Sequence, residues 1–334
     1  MYRYLIRRLL WSVVLFLAVT LVTFVIFFVI PVNPASLAAG RTATAEDIKR
    51  VEKALGLDRP LPIQYAKYLH RLSPITCCEG ALGIFKRPDL GTSYASGIKV
   101  NHTVTQAAPV TASLVFGGAV FWMLLALPIG ILSALRPRSL LDRGAMVFVL
   151  IGISAHPVWL GLIFAYFIGF KLGLTPITGY ADFFNPGPGA PGGPIAWAHH
   201  MLLPWLTFMI LFAAQYVRMI RANVMEVMNE DYVRTARAKG APESQVMRSH
   251  ILRNAMLAVV TMLGMDIGLA LGGAIFTEAV YGLPGLGQTA LTAITGSDLP
   301  VVLGVTVFGT VAIIIFTLIV DVVYAFIDPR IRLG

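Results

Sequence analysis

Six long apolar runs constrain the fold of this chain more than any other feature of its sequence. An α-helix needs roughly 17–25 apolar residues to cross the hydrocarbon core of a bilayer. The runs occupy approximately residues 9–30, 109–135, 145–170, 201–220, 255–276 and 301–326. Only 13% of the residues are charged, whereas a soluble domain has about 25%. The sequence therefore predicts an all-α integral membrane protein with six transmembrane helices.

The first apolar run is predicted to be a retained membrane helix rather than a cleaved leader. The run at 9–30 exceeds the ~7–15 apolar residues of a secretory signal. The stretch that follows it, "IPVNPASLAAG", is only a weak match to a signal cleavage site.

Basic residues predict the orientation of the spans, because Lys and Arg are concentrated in the cytoplasmic loops of membrane proteins. They fall in four groups on one side: Arg3, Arg7, Arg8; Arg136, Arg138, Arg143; Arg218, Arg221, Arg234, Arg237, Lys239, Arg248, Arg253; and Arg330, Arg332. Of the two short loops on the opposite side, one contains only Lys171 and the other contains neither Lys nor Arg. Both termini are therefore predicted to be cytoplasmic.

The segment between the first two spans, residues 33–100, is predicted to form an external loop domain. Thr44 is a candidate N-cap for a helix in "TAEDIKRVEKALG", and Gly56 is its candidate stop. "RPLPIQYAKYLHRL" has the apolar spacing of a second helix, and "DLGTSYASG" is typical of a turn with a short strand. The sequence leaves open whether Cys77 and Cys78 form a disulfide. The predicted division is residues 1–32, 33–100 and a five-helix core at 101–334.

The polar stretch at residues 222–254 lies between the fourth and fifth spans. Its charges exclude a membrane span, because a central charged residue costs about 2.5–3.5 kcal/mol. "EVMNEDYVRTARAK" favours a helix continuous with the fourth span, Gly240 a left-handed C-cap, and Pro242 the start of another helix. We expect a rigid helix-turn-helix.

Two interpretations of this loop remain open on physical grounds. Ala236 and Gly240 are small and would leave a groove for another protein. Apolar residues beside the groove would add contacts: Tyr232, Val233, Val246, Met247, Ile251 and Leu252. The alternative is a solvated connection between spans. The length of the stretch, well beyond the usual ~4–6 residues of a connection, favours docking.

The same stretch resembles the EAA loop in membrane subunits of bacterial ABC importers. That loop has the pattern E-A-A-x-x-x-G, followed further along by I-x-L-P. Thr235 and Ala236 match the two alanines, and Gly240 matches the glycine. Leu252 matches the leucine, whereas Arg234, His250 and Arg253 depart from the pattern.

Those departures are typical of the dipeptide/oligopeptide permease subfamily, which "DYVRTARAKG" followed by "HILRNA" resembles. The likeness extends over nearly the whole chain. Similar segments are "LGLDRPLPIQYAKYL", "DLGTSY", "HPVWLGLIFAYFIGFKLGLTPITGY", "GGAIFTEAVYGLPGLGQ" and "DVVYAFIDPRIR". The chain is most similar to the first permease subunit of that subfamily, the one with a large outer loop.

The resemblance implies a permease subunit of an ATP-driven importer in the bacterial cytoplasmic (inner) membrane, with peptides as cargo. The implied partners are a second homologous permease subunit, two cytoplasmic ABC ATPases, an external substrate-binding protein and membrane lipid. The chain lacks the G-x-x-x-x-G-K-[ST] motif, so ATP and Mg are expected in the ATPase subunits. We expect neither an enzyme nor a cofactor, metal or nucleic-acid site in this chain.

The resemblance also assigns ATPase coupling to the helix-turn-helix around Gly240. The residues expected to carry it are Glu230, Asp231, Tyr232, Arg234, Thr235, Ala236, Lys239, Gly240 and Glu243. ATP binding would close the ATPase pair and swing the loop. A stiff connection to the spans would then convert that motion into alternating inward and outward openings.

Polar residues in the apolar runs suggest a translocation path and an outer gate. Asp266 lies mid-span, where a carboxylate marks a functional site by default, and Gln215 is a second candidate for the path. For both, the alternative is a hydrogen bond to a neighbouring helix. Glu278 and Tyr281, beside "GLPGLG", are candidates for an outer gate or for contact with the binding protein.

Other residues in the runs are predicted to be structural. Asp321 is expected to pair with Arg218 or Arg221, and His156-Pro157 to start or bend the third span. Small residues at helical spacing are predicted to form one close-packed face: Gly264, Gly268, Gly272 and Gly273.

Three alternative functions were weighed against a peptide permease. The first is an importer of the same subfamily for nickel, glutathione or another small solute, because the resemblance includes such importers and the binding protein largely sets specificity. A secondary transporter or channel would require internal repeats or paired broken helices, which the sequence does not suggest. A DNA reader would use the net charge of +9, but the basic loop is tethered at both ends and mixes acids with its bases.

Overall fold

The computed structural model describes residues 2–26, 44–55, 58–73, 88–184 and 192–327, and these residues are predominantly helical. The helices are α1 Tyr2–Phe24, α2 Ala45–Leu55, α3 Leu61–Leu72, α4 Val100–Leu135, α5 Leu140–Ser154, α6 Pro157–Phe164, α7 Pro194–Met228, α8 Asp231–Ala238, α9 Glu243–Leu271, α10 Ile275–Tyr281, α11 Leu286–Thr295 and α12 Leu299–Ile327. A π-helix, Ala165–Lys171, extends α6, and Val246–Leu252 within α9 is also π-helical. The all-α fold is thus confirmed.

Five of these helices are long and apolar enough to cross a membrane: α1, α4, α7, α9 and α12. A sixth crossing is made if α5 and the extended α6 form one broken span, since the two are bent by 106°. The apolar run at 145–170 therefore contains a break. His156 is extended because a residue before proline avoids the helical region, and Ala155 before it is extended as well. The bend expected at His156-Pro157 is confirmed.

The fifth apolar run also contains a break that its hydropathy hides. Helix α9 ends at Leu271, and α10 begins only at Ile275. Gly273 has φ +129°, and a Cβ there would lie 2.8 Å from Gly287 Cα. A side chain is excluded at this position by both backbone conformation and space. The run at 255–276 is therefore one span followed by a separate short helix.

Helices α4 and α7 form the centre of the packed core. Trp122 on α4 is fully buried and stacks against Phe212 on α7, with ring centroids 4.5 Å apart. Close approach of the two helices requires glycine, because a Cβ on Gly130 would lie 2.8 Å from Ile220 Cβ. This contact holds the helix that leads into the polar loop against the longest helix of the chain.

The predicted glycine face packs α9 against α12. Gly264, Gly268 and Gly272 all face α12, and a Cβ on Gly268 would lie 3.1 Å from Ile313 Cα. The close-packed face is confirmed for these three residues. Gly273 was wrongly included, since it faces the start of α11 instead.

An ion pair joins α1 to α12. Arg8 Nη2 lies 3.0 Å from Asp321 Oδ1, and Asp321 is 7% exposed. The predicted pairing of Asp321 with Arg218 or Arg221 is wrong, because Arg221 pairs with Asp142. Sequence position did not indicate which helix lies next to α12.

The segment between the first two spans contains the two predicted helices, α2 and α3. Thr44 Oγ1 accepts a hydrogen bond from Asp47 N at 3.3 Å, which confirms the N-cap. The Thr44 hydroxyl, which donates to the carboxylate at 2.6 Å, holds the pKa of Asp47 below its usual value. Tyr65 on α3 donates to Leu17 O at 3.1 Å and so ties α3 to α1. Gly56, Cys77 and Cys78 lie outside the described residues.

The prediction of a short strand in "DLGTSYASG" is wrong. Within the described ranges there is no β-strand, only an antiparallel bridge between Thr92 and Lys99 around a turn. Asp298 binds this turn, because its carboxylate accepts from Tyr94 N at 3.0 Å and from the Ser93 hydroxyl. The turn is therefore packed against the start of α12.

Candidate functional site

The first limb of the polar loop is the short helix α8. Helix α7 does not run into it, because Asn229 and Glu230 form a turn whose N–H groups donate to Glu226 O and Val227 O at 3.1 and 3.2 Å. The expectation of a helix continuous with the fourth span is therefore wrong. A β/extended Glu230 interrupts the helix, even though its neighbours have adequate helix propensity.

Gly240 ends α8 in a Schellman motif. Its φ is +80°, and its N–H donates to Arg237 O at 2.9 Å, while Ala241 N donates to Ala236 O at 3.3 Å. These two bonds satisfy carbonyl groups at the helix end that would otherwise lack partners. A Cβ on Gly240 would meet no atom within 4 Å, so the positive φ, rather than lack of space, is what favours glycine here. The predicted left-handed C-cap is confirmed.

The second limb of the loop is continuous with a membrane span. Pro242 is the N-cap residue of α9, which runs without interruption through its π-helical part to Leu271. The helix-turn-helix is thus confirmed, but the stiff connection to the spans is on the C-terminal side of the loop. On the N-terminal side the turn at Asn229 intervenes.

Apolar residues of the loop pack inward. Val233, Val246 and Ile251 are fully buried within the chain's own core. The expectation that they offer contacts to another protein is therefore wrong for these three. They hold α8 against α9, and Asn254 Nδ2 adds a hydrogen bond to Tyr232 Oη at 2.7 Å.

Polar residues of the loop form its exposed face. Of the nine predicted coupling residues, all except the half-buried Ala236 are exposed: Glu230, Asp231, Tyr232, Arg234, Thr235, Lys239, Gly240 and Glu243. Arg237 bridges the turn by donating to both Glu243 oxygens, at 2.6 and 3.1 Å. The structure thus presents these residues as one rigid, solvent-facing surface.

Asp266 and Gln215, the two candidates for a path, have different surroundings. Asp266 is partly exposed, and its Oδ2 accepts a hydrogen bond from Tyr216 Oη at 2.7 Å. Gln215 is exposed and lines a cavity of about 410 Å³ with Phe212 and Thr277. The cavity lining does not include Asp266. The two residues, on α7 and α9, therefore do not line one common cavity.

The segment at residues 272–298, here called the gate segment, is fastened by Glu278. This side chain is fully buried, and its carboxylate accepts from Thr111 Oγ1 at 2.8 Å and Gln288 N at 2.9 Å. A Cβ on Gly285 would lie 2.4 Å from Glu278 Cδ, and a Cβ on Gly287 would lie 2.7 Å from Ile275 N and 3.0 Å from Glu278 Oε2. Glycine is therefore required at these two positions of "GLPGLG" because the turn passes close to Glu278 and to the backbone of α10.

Tyr281 fastens the same segment to two further helices. Its hydroxyl lies 2.8 Å from Thr207 Oγ1 on α7 and donates to Gly161 O on α6 at 3.2 Å. Tyr281 is 2% exposed, so neither it nor Glu278 reaches a surface in this conformation. Because both side chains are buried in this conformation, they are not placed to contact a binding protein as the sequence analysis suggested. Sequence analysis also missed the partners Thr111 and Thr207, because a Thr in an apolar span carries no distinctive signal.

In the part of the chain that the structure describes, no group of three or more His, Cys, Asp or Glu side chains is arranged to hold a metal ion.

Family models match almost the whole sequence. Residues 126–333 match the model described as "Binding-protein-dependent transport system inner membrane component". Residues 1–115 match "Binding-prot-dependent transport system membrane comp, N-term".

Individual relatives are similar over their full lengths. The dipeptide transport system permease protein DppB of Escherichia coli is 34% identical, and the comparison covers 99% of each chain. The probable D,D-dipeptide transport system permease protein DdpB of the same organism is 34% identical over 98% of this chain and 97% of its own. The oligopeptide transport system permease protein AppB of Bacillus subtilis is 32% identical over 98% and 99%.

A solved structure supports the fold. A chain of the MetNI methionine ABC transporter, in an inward-facing conformation, has a TM-score of 0.53 at 19% identity. The match covers 68% of the present chain and 97% of that chain.

Proposed function

This chain belongs to the family of inner membrane components of binding-protein-dependent transport systems, and on that premise we propose that it imports dipeptides or oligopeptides. Members of this family are permease subunits of ABC importers, and ATP hydrolysis is the task of partner subunits. The assignment of peptides as the cargo is supported by the full-length similarity to permeases named for dipeptides and oligopeptides.

The proposed complex contains this chain, a second homologous permease, two ATPases that bind ATP and Mg, and an external substrate-binding protein. Both termini and the loop at 222–254 lie on the cytoplasmic side in this proposal, as the distribution of Lys and Arg favours. Residues 33–100 form the external domain, and residues 101–334 form the permease core.

In the proposed mechanism the ATPases grip the exposed face of the loop around Gly240. The Schellman turn and the Arg237–Glu243 pair keep this face rigid. Because α9 continues from the loop into the membrane, movement of the loop tilts that span directly. On the other limb, the turn at Asn229 separates α7 from α8.

The proposed path runs past Gln215 and Asp266 towards the gate segment. The cavity that Gln215 lines also reaches Ile275 and Thr277 of the gate segment. Asp266 would attract the positively charged amino terminus of a peptide. Glu278 and Tyr281, both buried, would stabilise the gate segment in its position against α4, α6 and α7.

A direct test of cargo uses the complete complex in proteoliposomes with its binding protein. The binding protein is first offered a library of di- to hexapeptides, and the best retained peptide is labelled. We expect ATP-driven accumulation of that peptide. Retention and transport of Ni²⁺ or glutathione in place of peptides would instead establish one of the other cargoes of this family.

A further inference from the structure

A partly buried ion pair joins α7 to the first turn of α5. Arg221 Nε donates to Asp142 Oδ1 at 2.6 Å, and Arg221 Nη2 donates to Asp142 Oδ2 at 3.0 Å. Such a two-point contact restricts orientation as well as distance. The Asp142 and Arg221 side chains are 6% and 24% exposed. Separation of the pair would leave a buried carboxylate without its counter-charge, which strongly disfavours it.

Asp142 also organises the turn between α4 and α5, which precedes it. Arg138 N donates to Asp142 Oδ2 at 2.8 Å, and the Ser133 hydroxyl of α4 donates to Oδ1. Arg138 has φ +65°, a conformation that non-glycine residues seldom adopt. One carboxylate therefore holds the end of α4, the strained turn, the start of α5 and α7 together.

Arg221 lies close to the loop at 222–254, about two helical turns before α7 ends. Two hydrogen bonds tie the end of α7 and the loop to α9. Asn223 Nδ2 donates to Ala255 O at 3.5 Å, and Asn254 Nδ2 donates to Tyr232 Oη at 2.7 Å. The loop, the end of α7 and the start of α9 are thus cross-linked into one unit. The Arg221–Asp142 pair attaches that unit to α4 and α5.

We propose that Arg221 and Asp142 are positioning residues that transmit movement of the loop to α4 and α5. This inference rests on the proposed function, since it takes the loop as the point at which ATPases act. Helix α4 leads from this joint to Thr111, whose hydroxyl binds Glu278 in the gate segment. The joint therefore connects the ATPase side of the molecule to the gate through one continuous helix.

The test compares Arg221→Met, Arg221→Lys and wild type in the complete complex. The matched control is Arg218→Met, because Arg218 is an exposed arginine on the same helix. For each complex, uptake of the labelled peptide chosen above and ATP hydrolysis are measured together. We expect Arg221→Met to keep subunit assembly and hydrolysis, but to lower uptake per ATP roughly 10-fold, a typical size for coupling between sites. Arg221→Lys should lower uptake per ATP by a smaller factor, and Arg218→Met should have the same uptake per ATP as wild type.

A second readout follows the mechanical connection itself. Spin labels are placed at Gly144→Cys and Ser249→Cys, with Cys77 and Cys78 replaced by Ser. A Cβ on Gly144 meets no atom within 4 Å, and Ser249 is exposed. In wild type a non-hydrolysable ATP analogue should leave the distance between the labels unchanged, because both belong to one unit. In Arg221→Met the analogue should shift or broaden that distance.

The outcomes separate this inference from the proposed function. If wild type shows no ATP-driven uptake of peptide, the proposed function fails. If wild type transports and Arg221→Met has the same uptake per ATP, the joint does not transmit movement. If the complex with Arg221→Met does not assemble, the complex with Arg221→Lys is compared with wild type instead. An uptake per ATP equal to that of wild type overturns the inference, and a lower uptake per ATP supports it. A distance in wild type that changes with the ATP analogue also overturns it.

Discussion

At the scale of single residues, the gate segment depends on glycines that leave space for one carboxylate. Gly285 has an ordinary φ of −92°, so space rather than backbone strain requires glycine there. A methyl group at Gly285 would displace Glu278 from the donors on Thr111 and Gln288. Buried polar groups would then lose partners, at about 1–3 kcal/mol.

Gly285→Ala is therefore expected to destabilise the protein and to lower uptake. The measurement is the apparent melting temperature of the detergent-solubilised complex, followed by peptide uptake. Gly144→Ala is the control, because a Cβ there meets no atom within 4 Å and Ala is favoured over Gly in a helix by about 0.5–1 kcal/mol. Equal melting temperatures for the two variants would refute the role given to Glu278.

Asp266 offers a second prediction at this scale. If its carboxylate meets the amino terminus of a peptide, Asp266→Asn should lower uptake of free peptides roughly 10-fold, as expected for loss of a hydrogen bond to a charged group. Uptake of the corresponding N-acetylated peptides should not change between wild type and variant. Tyr216→Phe is the control for a purely structural hydrogen bond. Equal losses for free and acetylated peptides would place Asp266 outside the path.

Individual charges could be recognised in the sequence, but their partners could not. Asp321 and Arg221 were both singled out, yet each pairs with a different residue, Arg8 and Asp142 respectively. Helix neighbours far apart in sequence are chosen by tertiary packing, and one sequence contains no direct record of that choice. Asp142 was missed altogether because it lies at the polar edge of an apolar run, where a charge is unremarkable.

At the scale of elements, the turn at Gly240 is the most sharply testable feature of the polar loop. Its φ of +80° is strained for a β-branched residue and tolerated by asparagine. No neighbouring atom would obstruct either side chain. Gly240→Val should therefore distort the end of α8 at a cost of about 1–2 kcal/mol, whereas Gly240→Asn should leave it intact.

Co-purification with the ATPases measures this difference. We expect Gly240→Val, and a bulky replacement of Ala236, to weaken association, and Gly240→Asn to resemble wild type. Undiminished association of Gly240→Val would show that the turn is not part of the docking surface.

Elements with strong local signals could be predicted, whereas breaks inside apolar runs could not. The N-cap at Thr44, the glycine turn at 240 and the bend at His156-Pro157 all have specific residues that require them. The break at residues 229–230 contains neither glycine nor proline that would indicate it. The break at 272–274 does contain Gly272 and Gly273, but the apolar character continues through it, and the two glycines were assigned to a helix-packing face. Tertiary contacts, such as that of Gly273 with Gly287, decide where those helices end.

At the scale of the whole molecule, the distribution of basic residues predicts an orientation in the membrane with both termini in the cytoplasm. Single cysteines at Ser249 and Ile98, in a chain with Cys77 and Cys78 replaced by Ser, should be labelled from opposite sides. Both residues are exposed. An impermeant maleimide added to intact spheroplasts should label Ile98→Cys, and Ser249→Cys should be labelled only after permeabilisation. The reverse pattern would invert the proposed topology.

The most direct test of an ATPase-driven permease is uptake of the labelled peptide by proteoliposomes that contain the complete complex. Uptake should require ATP on the side of the ATPases and the loaded binding protein on the other side. It should persist in Gly240→Asn and be lost in Gly240→Val, because movement reaches the spans through that rigid turn. Uptake that continues without the ATPases, or that is equal in wild type and Gly240→Val, would contradict this mechanism.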